Sequence, residues 1–495
     1  MGIAHHFPIL VVVVPLAAAA INPIIGMSRR KACMPFATFA VFLSMIMSAY
    51  LVAKVYFIGP VSYHLGGWKP PFGIEIYFDE LSASSLLITV LGLLILIFSK
   101  KYIEKKLPAE KVSTYYTLVL LNVAGMLGFV VTGDMFNLFV FTEILSLSAY
   151  ALVAIGGEKI AEMAAFKYLL VGAVSSLSIL LAIGFVYSIT GTLNMRDMAL
   201  RLPEVHSLRV AAVAFALFIV GFCVKAALFP THIWLPDAHA IAPCPVSAIL
   251  SGLVVKTGLL GILRVFQVYR LTGGVLDLTP ITTILAWLGT ISIVMGAFFA
   301  FFQDDIKMML AYSTISNIGY IVLGIGLASF DGLRGGVVHI FNHAIIKVSL
   351  FLTAGAIIHQ TGFRKLTDLR GIAKRMPITM AAMSIGIISI VGIPPTNGFI
   401  CKWFIALGAM EANAPLFAAA LLFGALFIFA YYIKIVNAAY FREPTRKEIA
   451  EAKEAPLSML IPVTILAFAC LMMGLPLAYL PVRYVKPWIV ALLRG

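Results

Sequence analysis

The sequence predicts an all-α polytopic membrane protein of about 14 transmembrane helices, with two inverted five-helix repeats that each carry a broken helix. Three observations carry this reading. Over 495 residues the mean hydropathy is +1.02 and only 12% of residues are charged, more apolar surface than a water-soluble fold of this size could cover. Apolar runs near twenty residues recur from Phe7 to Pro481. Each can cross about 30 Å of hydrocarbon, and in lipid such runs must be helices, because the backbone finds no other partners there. Two of the runs are interrupted by proline, five spans apart.

Taken in order, the spans are expected at 7–25, 33–58, 79–99, 115–132, 134–155, 161–190, 208–238, 244–270, 280–302, 304–329, 332–360, 377–410, 414–440 and 457–481. They divide into N-terminal spans (1–112), a first repeat of spans four to eight (113–271), a second of spans nine to thirteen (272–440), and a charged segment with the final span (441–495). The gap between spans nine and ten rests on the charges of FFQDDIK, read as a short loop. The N-terminal stretch lacks a leading basic region and a small-residue cleavage site, so it reads as the first span and not as a removed signal. Within the polar stretch 59–78, the alternation in GIEIYF suits a small hairpin. FREPTRKEIAEAKEAP (441–456) reads as a short charged helix stopped by proline.

Loop charges set the orientation. Arg29, Arg30 and Lys31 follow span one; Lys100, Lys101, Lys105, Lys106 and Lys111 follow span three. Arg364, Lys365, Arg370, Lys374 and Arg375 follow span eleven; Arg442, Arg446, Lys447 and Lys453 follow span thirteen. All fall on one face, which the positive-inside rule makes cytoplasmic, with both termini extracytoplasmic in a cell membrane. These scattered residues account for the net charge of +14, and without a basic–aromatic groove they point away from nucleic acid and toward the lipid bilayer. The five cysteines (Cys33, Cys223, Cys244, Cys401, Cys470) are far apart and suggest neither a metal site nor a disulfide framework.

The interruptions are KAALFPTHIWLP in span seven, with Pro230 and Pro236, and SIVGIPPTNGFICKW in span twelve, with Pro394 and Pro395. Each proline removes a backbone hydrogen bond, and broken helices at membrane depth survive only where protein or water covers the freed groups. Beside these breaks lie charges in mid-span: Glu143, Lys225, Lys256, Lys347 and Lys402, with His343 and His339 one and two turns before Lys347 on the same helix face. A charge at the bilayer centre costs at least about 2.5–3.5 kcal/mol. Lys54, Lys434 and Arg264 lie near span ends and are expected to snorkel to the interface; Lys167 fits snorkelling and burial equally. One structural ion pair with Glu143 cannot absorb three or four buried lysines. The surplus of base over acid suits proton exchange, because desolvation lets a lysine release its proton near neutral pH. A metal at His339 and His343 is disfavoured, since no carboxylate or cysteine lies near them in sequence.

These segments resemble a known family. KAALFPTHIWLPDAHAIAPCPVSAILSGLVVKTGLLGILR (225–264) is similar to the signature of the proton-translocating antiporter-like subunits of complex I. The same signature is found in Mrp cation/proton antiporters, where the likeness is to the D-type subunit, and in archaeal membrane-bound hydrogenase or sulfur-reductase complexes. GDMFNLFVFTEILSLSAYALVA (133–154), HIFNHAIIKVSLFL (339–352) and GIPPTNGFICKWF (392–404) match further segments in order, and the likeness spans roughly 80–440. The chain ends soon after span fourteen, unlike the family's longest members with their lateral helix. The resemblance implies a proton axis through Glu143, Lys225, Lys256, His339, His343, Lys347 and Lys402, with Glu143 pairing to Lys225 and Lys402 near the exit. It also implies partner membrane subunits, protons and sodium as the ions concerned, and no cofactor or catalytic site in this chain, which on its own is not an enzyme. A stand-alone proton-coupled transporter and a non-conducting brace of a redox complex are the alternative readings.

Overall fold

The computed structural model describes residues 2–205, 207–269, 280–475, 477 and 479–494; the expected boundary between repeats, at 271–272, lies outside them. The N-terminal group is α1 (Phe7–Ser28), α2 (Cys33–Phe57) and α3 (Ser84–Lys106), with an antiparallel hairpin of β1 (Val61–His64) and β2 (Glu75–Phe78) between α2 and α3. Next come α4 (Lys111–Val131), α5 (Met135–Ala154), α6 (Lys159–Thr190), the short α7 (Met195–Arg201), α8 (Leu208–Lys225), α9 (Leu235–Ile241), α10 (Cys244–Ile249) and, beyond a π turn, α11 (Val255–Tyr269). The remainder is α12 (Ile281–Phe301), α13 (Ile306–Gly326), α14 (Phe330–Thr361), α15 (Pro377–Val391), α16 (Asn397–Glu411), α17 (Pro415–Phe441), α18 (Lys447–Ala450), α19 (Leu457–Met472) and α20 (Tyr479–Arg494). Among the described residues, 12 helices are long and apolar enough to cross a membrane, and Pro377–Val391 and Leu457–Met472 are shorter apolar helices.

The connections sort onto two faces. The α4–α5 turn sits on the hairpin face, where Thr132 bridges Ile76 and Asp134 bridges Asn194 just before α7. The α12–α13 turn sits on the opposite face, where Asp305 bridges Lys365 after α14. Each turn ends in an aspartate that caps the next helix: Asp134 accepts from the Asn137 amide, and Asp305 from those of Lys307 and Met308. α11, α13 and α14 are buried along nearly their whole length. α6 and α17 expose residues such as Phe166, Leu177 and Leu426, a surface suited to acyl chains.

Both interruptions exist, and they begin before their prolines. α8 ends at Lys225; Ala227 takes the left-handed conformation (φ 55°), its amide bonds to the Val224 carbonyl, and the Leu228 amide bonds to that of Cys223. α15 closes identically around Gly392 (φ 88°), with Gly392 bonded to Ser389 and Ile393 to Ile388. This is the double-bonded αL helix terminus. Pro230, Pro394 and Pro395 lie in the turns that follow. Pro236 breaks nothing: it stands in the first turn of α9, where a missing N–H costs no bond.

The charged segment 441–456 holds its short helix as a single turn, α18, and beyond it Glu454 accepts from the Ile378 and Thr379 amides at the start of α15. Two further expectations change. The final span divides into α19 and a separate α20, whose Tyr484 stacks on Tyr56 at the hairpin end of α2. Arg264 does not snorkel. It is 4% exposed and forks onto both oxygens of buried Asp79, also donating to Ser82 Oγ at 3.1 Å and the Val130 carbonyl at 3.2 Å. Burial pushes the Asp79 carboxyl up, but Arg264 and the Ser82 hydrogen bonds outweigh this and hold it below the usual carboxylate range.

Candidate functional site

The mid-span charges converge on the buried centre. Lys225, the last residue of α8, is 7% exposed and donates to Ser146 Oγ on α5 at 2.7 Å. Glu143 lies one turn before Ser146 on the same helix and within electrostatic reach of Lys225, yet the expected Glu143–Lys225 ion pair is not closed. Glu143 Oε1 is buried with no hydrogen-bond partner. The hydroxyl takes the ammonium because it is nearer the lysine tip, which leaves the carboxylate available.

Lys256 sits just past the π turn Leu250–Val254. That turn frees the Ser251 carbonyl, which accepts from Lys256 Nζ. π turns mark places where a helix is re-aimed for function. Ser251 Oγ in turn bonds Thr314 Oγ1 on α13 at 2.7 Å. α11 can lie against the end of α8 because residue 258 is glycine: a Cβ there would collide with the backbone of Ala226. This packing brings the Lys256 region next to the Lys225 terminus.

On α14, Lys347 donates to the Leu310 carbonyl (2.9 Å) and Ser313 Oγ (2.8 Å), and Tyr432 of α17 donates to the same Ser313 Oγ at 2.9 Å. His343 and His339 stack at 5.5 Å. His339 Nε2 meets Asn317 Oδ1 at 3.3 Å, while both His343 nitrogens and His339 Nδ1 have no partner. His343 lies within electrostatic reach of Lys256, Lys347 and Lys402. Lys402, on α16, reaches back across the second break to the carbonyls of Ile390 (2.8 Å) and Val391 (3.0 Å), with its ammonium 4.5 Å from the centre of the Tyr320 ring.

Residues outside the expected set belong to the same region. On α13, Leu310, Ser313, Thr314 and Asn317 form one stripe at i, i+3, i+4 and i+7 and supply acceptors for Lys347 and His339 and a partner for Ser251. His239 of α9 is fully buried, stacks on Phe351 at 5.0 Å, and has both ring nitrogens unpartnered. It lies within reach of Lys307, Lys347 and Lys256. Lys307, 3% exposed, donates to the carbonyls of Ala240 and Ala242 at the end of α9. Lys434 reaches the Phe301 carbonyl at 2.5 Å. Lys167 pairs with Asp237 of α9 at 2.6 Å, a partner that explains its place within the span better than snorkelling.

Chemically, the site is a file of nitrogen bases held by neutral oxygens. None of Lys225, Lys256, Lys347 and Lys402 makes an ion pair among the described residues. Carbonyl and hydroxyl acceptors hold a lysine in place without fixing its charge as a carboxylate at contact distance would.

The family model described as "NADH:quinone oxidoreductase/Mrp antiporter, TM" matches residues 132–428. The chain is 36% identical to NADH-quinone oxidoreductase subunit N of Desulforudis audaxviator, over 98% of this chain and 99% of that protein. It is 30% identical to the D-type subunit of the Na(+)/H(+) antiporter of Bacillus subtilis, over 95% and 94%. Among solved structures it matches a chain of the membrane-bound sulfane sulfur reductase, an archaeal respiratory membrane complex, at TM-score 0.90 and 31% identity over 98% of both chains. A chain of the Mrp complex from Dietzia sp. matches in fold at TM-score 0.87 over 100% of both, with 24% identity. The chain thus belongs to the NADH:quinone oxidoreductase/Mrp antiporter transmembrane family, as an antiporter-like, multi-pass subunit of multisubunit membrane complexes.

Proposed function

We propose that this subunit moves protons along the file Glu143, Lys225, Lys256, His343, His339 and Lys402, with Lys347, His239 and Lys307 as a side branch toward the face opposite the hairpin. The observation that carries this reading is that Lys225, Lys256, Lys347 and Lys402 are all buried and held by hydroxyl and carbonyl oxygens alone, with the unpartnered ring nitrogens of His339 and His343 in the same buried region. Swinging Lys225 from Ser146 to Glu143 stabilises its ammonium; swinging it back favours passing the proton inward. Internal water completes the steps between side chains. Protons suit the file better than sodium: apart from Glu143 its groups are nitrogen bases, whereas a hard cation prefers a cage of oxygens.

The two halves act as inverted repeats, one opening to each face. The capped turns at Asp134 and Asp305, each bridged to the connection two helices later but on opposite faces, support this. The hairpin face is extracytoplasmic and carries both termini; the opposite face, rich in Lys and Arg, is cytoplasmic, and the membrane is the cell membrane. The chain supplies no cofactor. Energy comes from partner subunits, whether a redox module or a coupled ion flux, so any oxidoreductase activity belongs to the whole complex.

The test is Lys225→Ala in the assembled complex, reconstituted into proteoliposomes with a pH-sensitive dye. Proton translocation should fall at least about a hundredfold with assembly unchanged. Coupled transport at the wild-type rate would overturn the relay.

A further inference from the structure

On the face opposite the hairpin, the α1–α2 and α3–α4 connections form a cavity of about 310 Å³ that is open on one side. Arg30, Lys31 and Lys100 line it against a single carboxylate, Glu104. That carboxylate is already engaged by Lys101 at 3.3 Å. The neighbouring lysines are held as well: Lys105 by the His359 carbonyl at 2.5 Å, Lys106 by Glu158 at 3.9 Å, and Lys111 by the Ile155 carbonyl at 3.2 Å. Arg30, Lys31 and Lys100 make no ion pair and no side-chain hydrogen bond among the described residues. The basic residues that face the cavity are therefore without an internal partner among the described residues.

The rest of the wall is mostly apolar, with Met34, Leu107, Ala109 and Val112 beside Tyr116. The same ends of α1 and α2 expose Met27 and Phe39 on the outer surface. A ligand that fits both parts has an anionic head and a hydrocarbon body, and it must lie where helices begin and end, at the membrane boundary. We propose that this cavity binds the phosphate of an anionic phospholipid, with its acyl chains along α1 and α2. The guanidinium and ammonium groups donate to the phosphate oxygens, as basic pockets between helices do at this level of a bilayer. A free phosphate satisfies the cations but leaves the apolar wall uncovered.

The complex containing the full chain is exchanged into nanodiscs of phosphatidylcholine with and without phosphatidylglycerol, and bound lipid is counted by native mass spectrometry. Wild type should retain phosphatidylglycerol on this subunit, more weakly at high salt. The triple variant Arg30→Gln, Lys31→Gln, Lys100→Gln should bind it on the order of a hundredfold more weakly, from about fivefold per basic residue. Neutralising Lys447 and Lys453 should change nothing, which separates a built pocket from general surface charge. Equal retention by the triple variant, equal retention of phosphatidylcholine, or displacement by millimolar inorganic phosphate would each overturn the lipid site, the last in favour of a free-anion site.

Discussion

At the first break Lys225 stands before the left-handed turn and points away from it, to Ser146. At the second, Lys402 comes after the turn and reaches back to the carbonyls of Ile390 and Val391. The carbonyl end of α8 is served instead by an aromatic: Trp234 Nε1 donates to the Val224 carbonyl at 3.1 Å. Both helices terminate with the same pair of backbone bonds, yet only the second break uses its lysine as the cap. Lys402 thus has a structural duty in addition to any proton it carries, whereas Lys225 is released from that duty and has a hydroxyl and a carboxylate to choose between. The difference gives the lysine of the first break two alternative partners and ties the lysine of the second to its helix end.

Three sets of changes test that division, beginning with the largest effect expected on stability. Asp79→Asn strands the Arg264 guanidinium with no lysine-like reach to a better acceptor, and should cost about 3–5 kcal/mol, read as a lower unfolding temperature in detergent; replacing both residues by apolar ones should recover most of it. Acid should mimic the single change. Because the folded Asp79 carboxyl is held below its ordinary value near 4, its contribution is complete above about pH 4 and is lost as pH falls through the lower folded value. A loss well below that of the second change would show that buried ions here need no close partner, and the contrast between the breaks would lose its basis. Second, Lys402→Met should lower both transport and stability, the latter by about 1–3 kcal/mol, since two buried carbonyls lose their donor; Lys225→Ala should leave the unfolding temperature nearly unchanged. Equal destabilisation by the two would erase the distinction. The smallest effects come from the turns themselves. Ala227→Gly should stabilise by about 1 kcal/mol by relieving a left-handed alanine. Gly392→Ala should cost a similar amount, increased by a Cβ placed 3.0 Å from Lys402 Cδ. Thermal unfolding of the pair should give opposite signs.

What breaks an apolar pattern is legible in the sequence. Lys225, Lys256, Lys347 and Lys402 stand out because nothing nearby resembles them, and the hairpin and both interruptions are readable from alternation and proline. Neutral partners are not. Ser313, Thr314 and Asn317 carry no charge, and only their helical spacing in LAYSTISN, set against the charged face of α14, could mark them. Lys307 reads as part of a loop because its charge adjoins Asp304 and Asp305, although Asp305 caps the helix in which Lys307 lies. Arg264 has the signature of snorkelling because it is a basic residue near a span end, and its true partner is 185 positions away. Prolines draw attention to the breaks, but the chain leaves the helix earlier, at Ala227 and Gly392.

The π turn at Leu250–Val254 has a consequence for length variation along the chain. Such a turn is one residue wider than the surrounding α-helix. Deleting a single residue there would restore regular pairing and look harmless by hydrophobicity. It would also close the turn that leaves the Ser251 carbonyl to Lys256 Nζ, so the amine would lose the partner that holds it. In this segment the count of residues is as much a determinant of where the amine points as their identity.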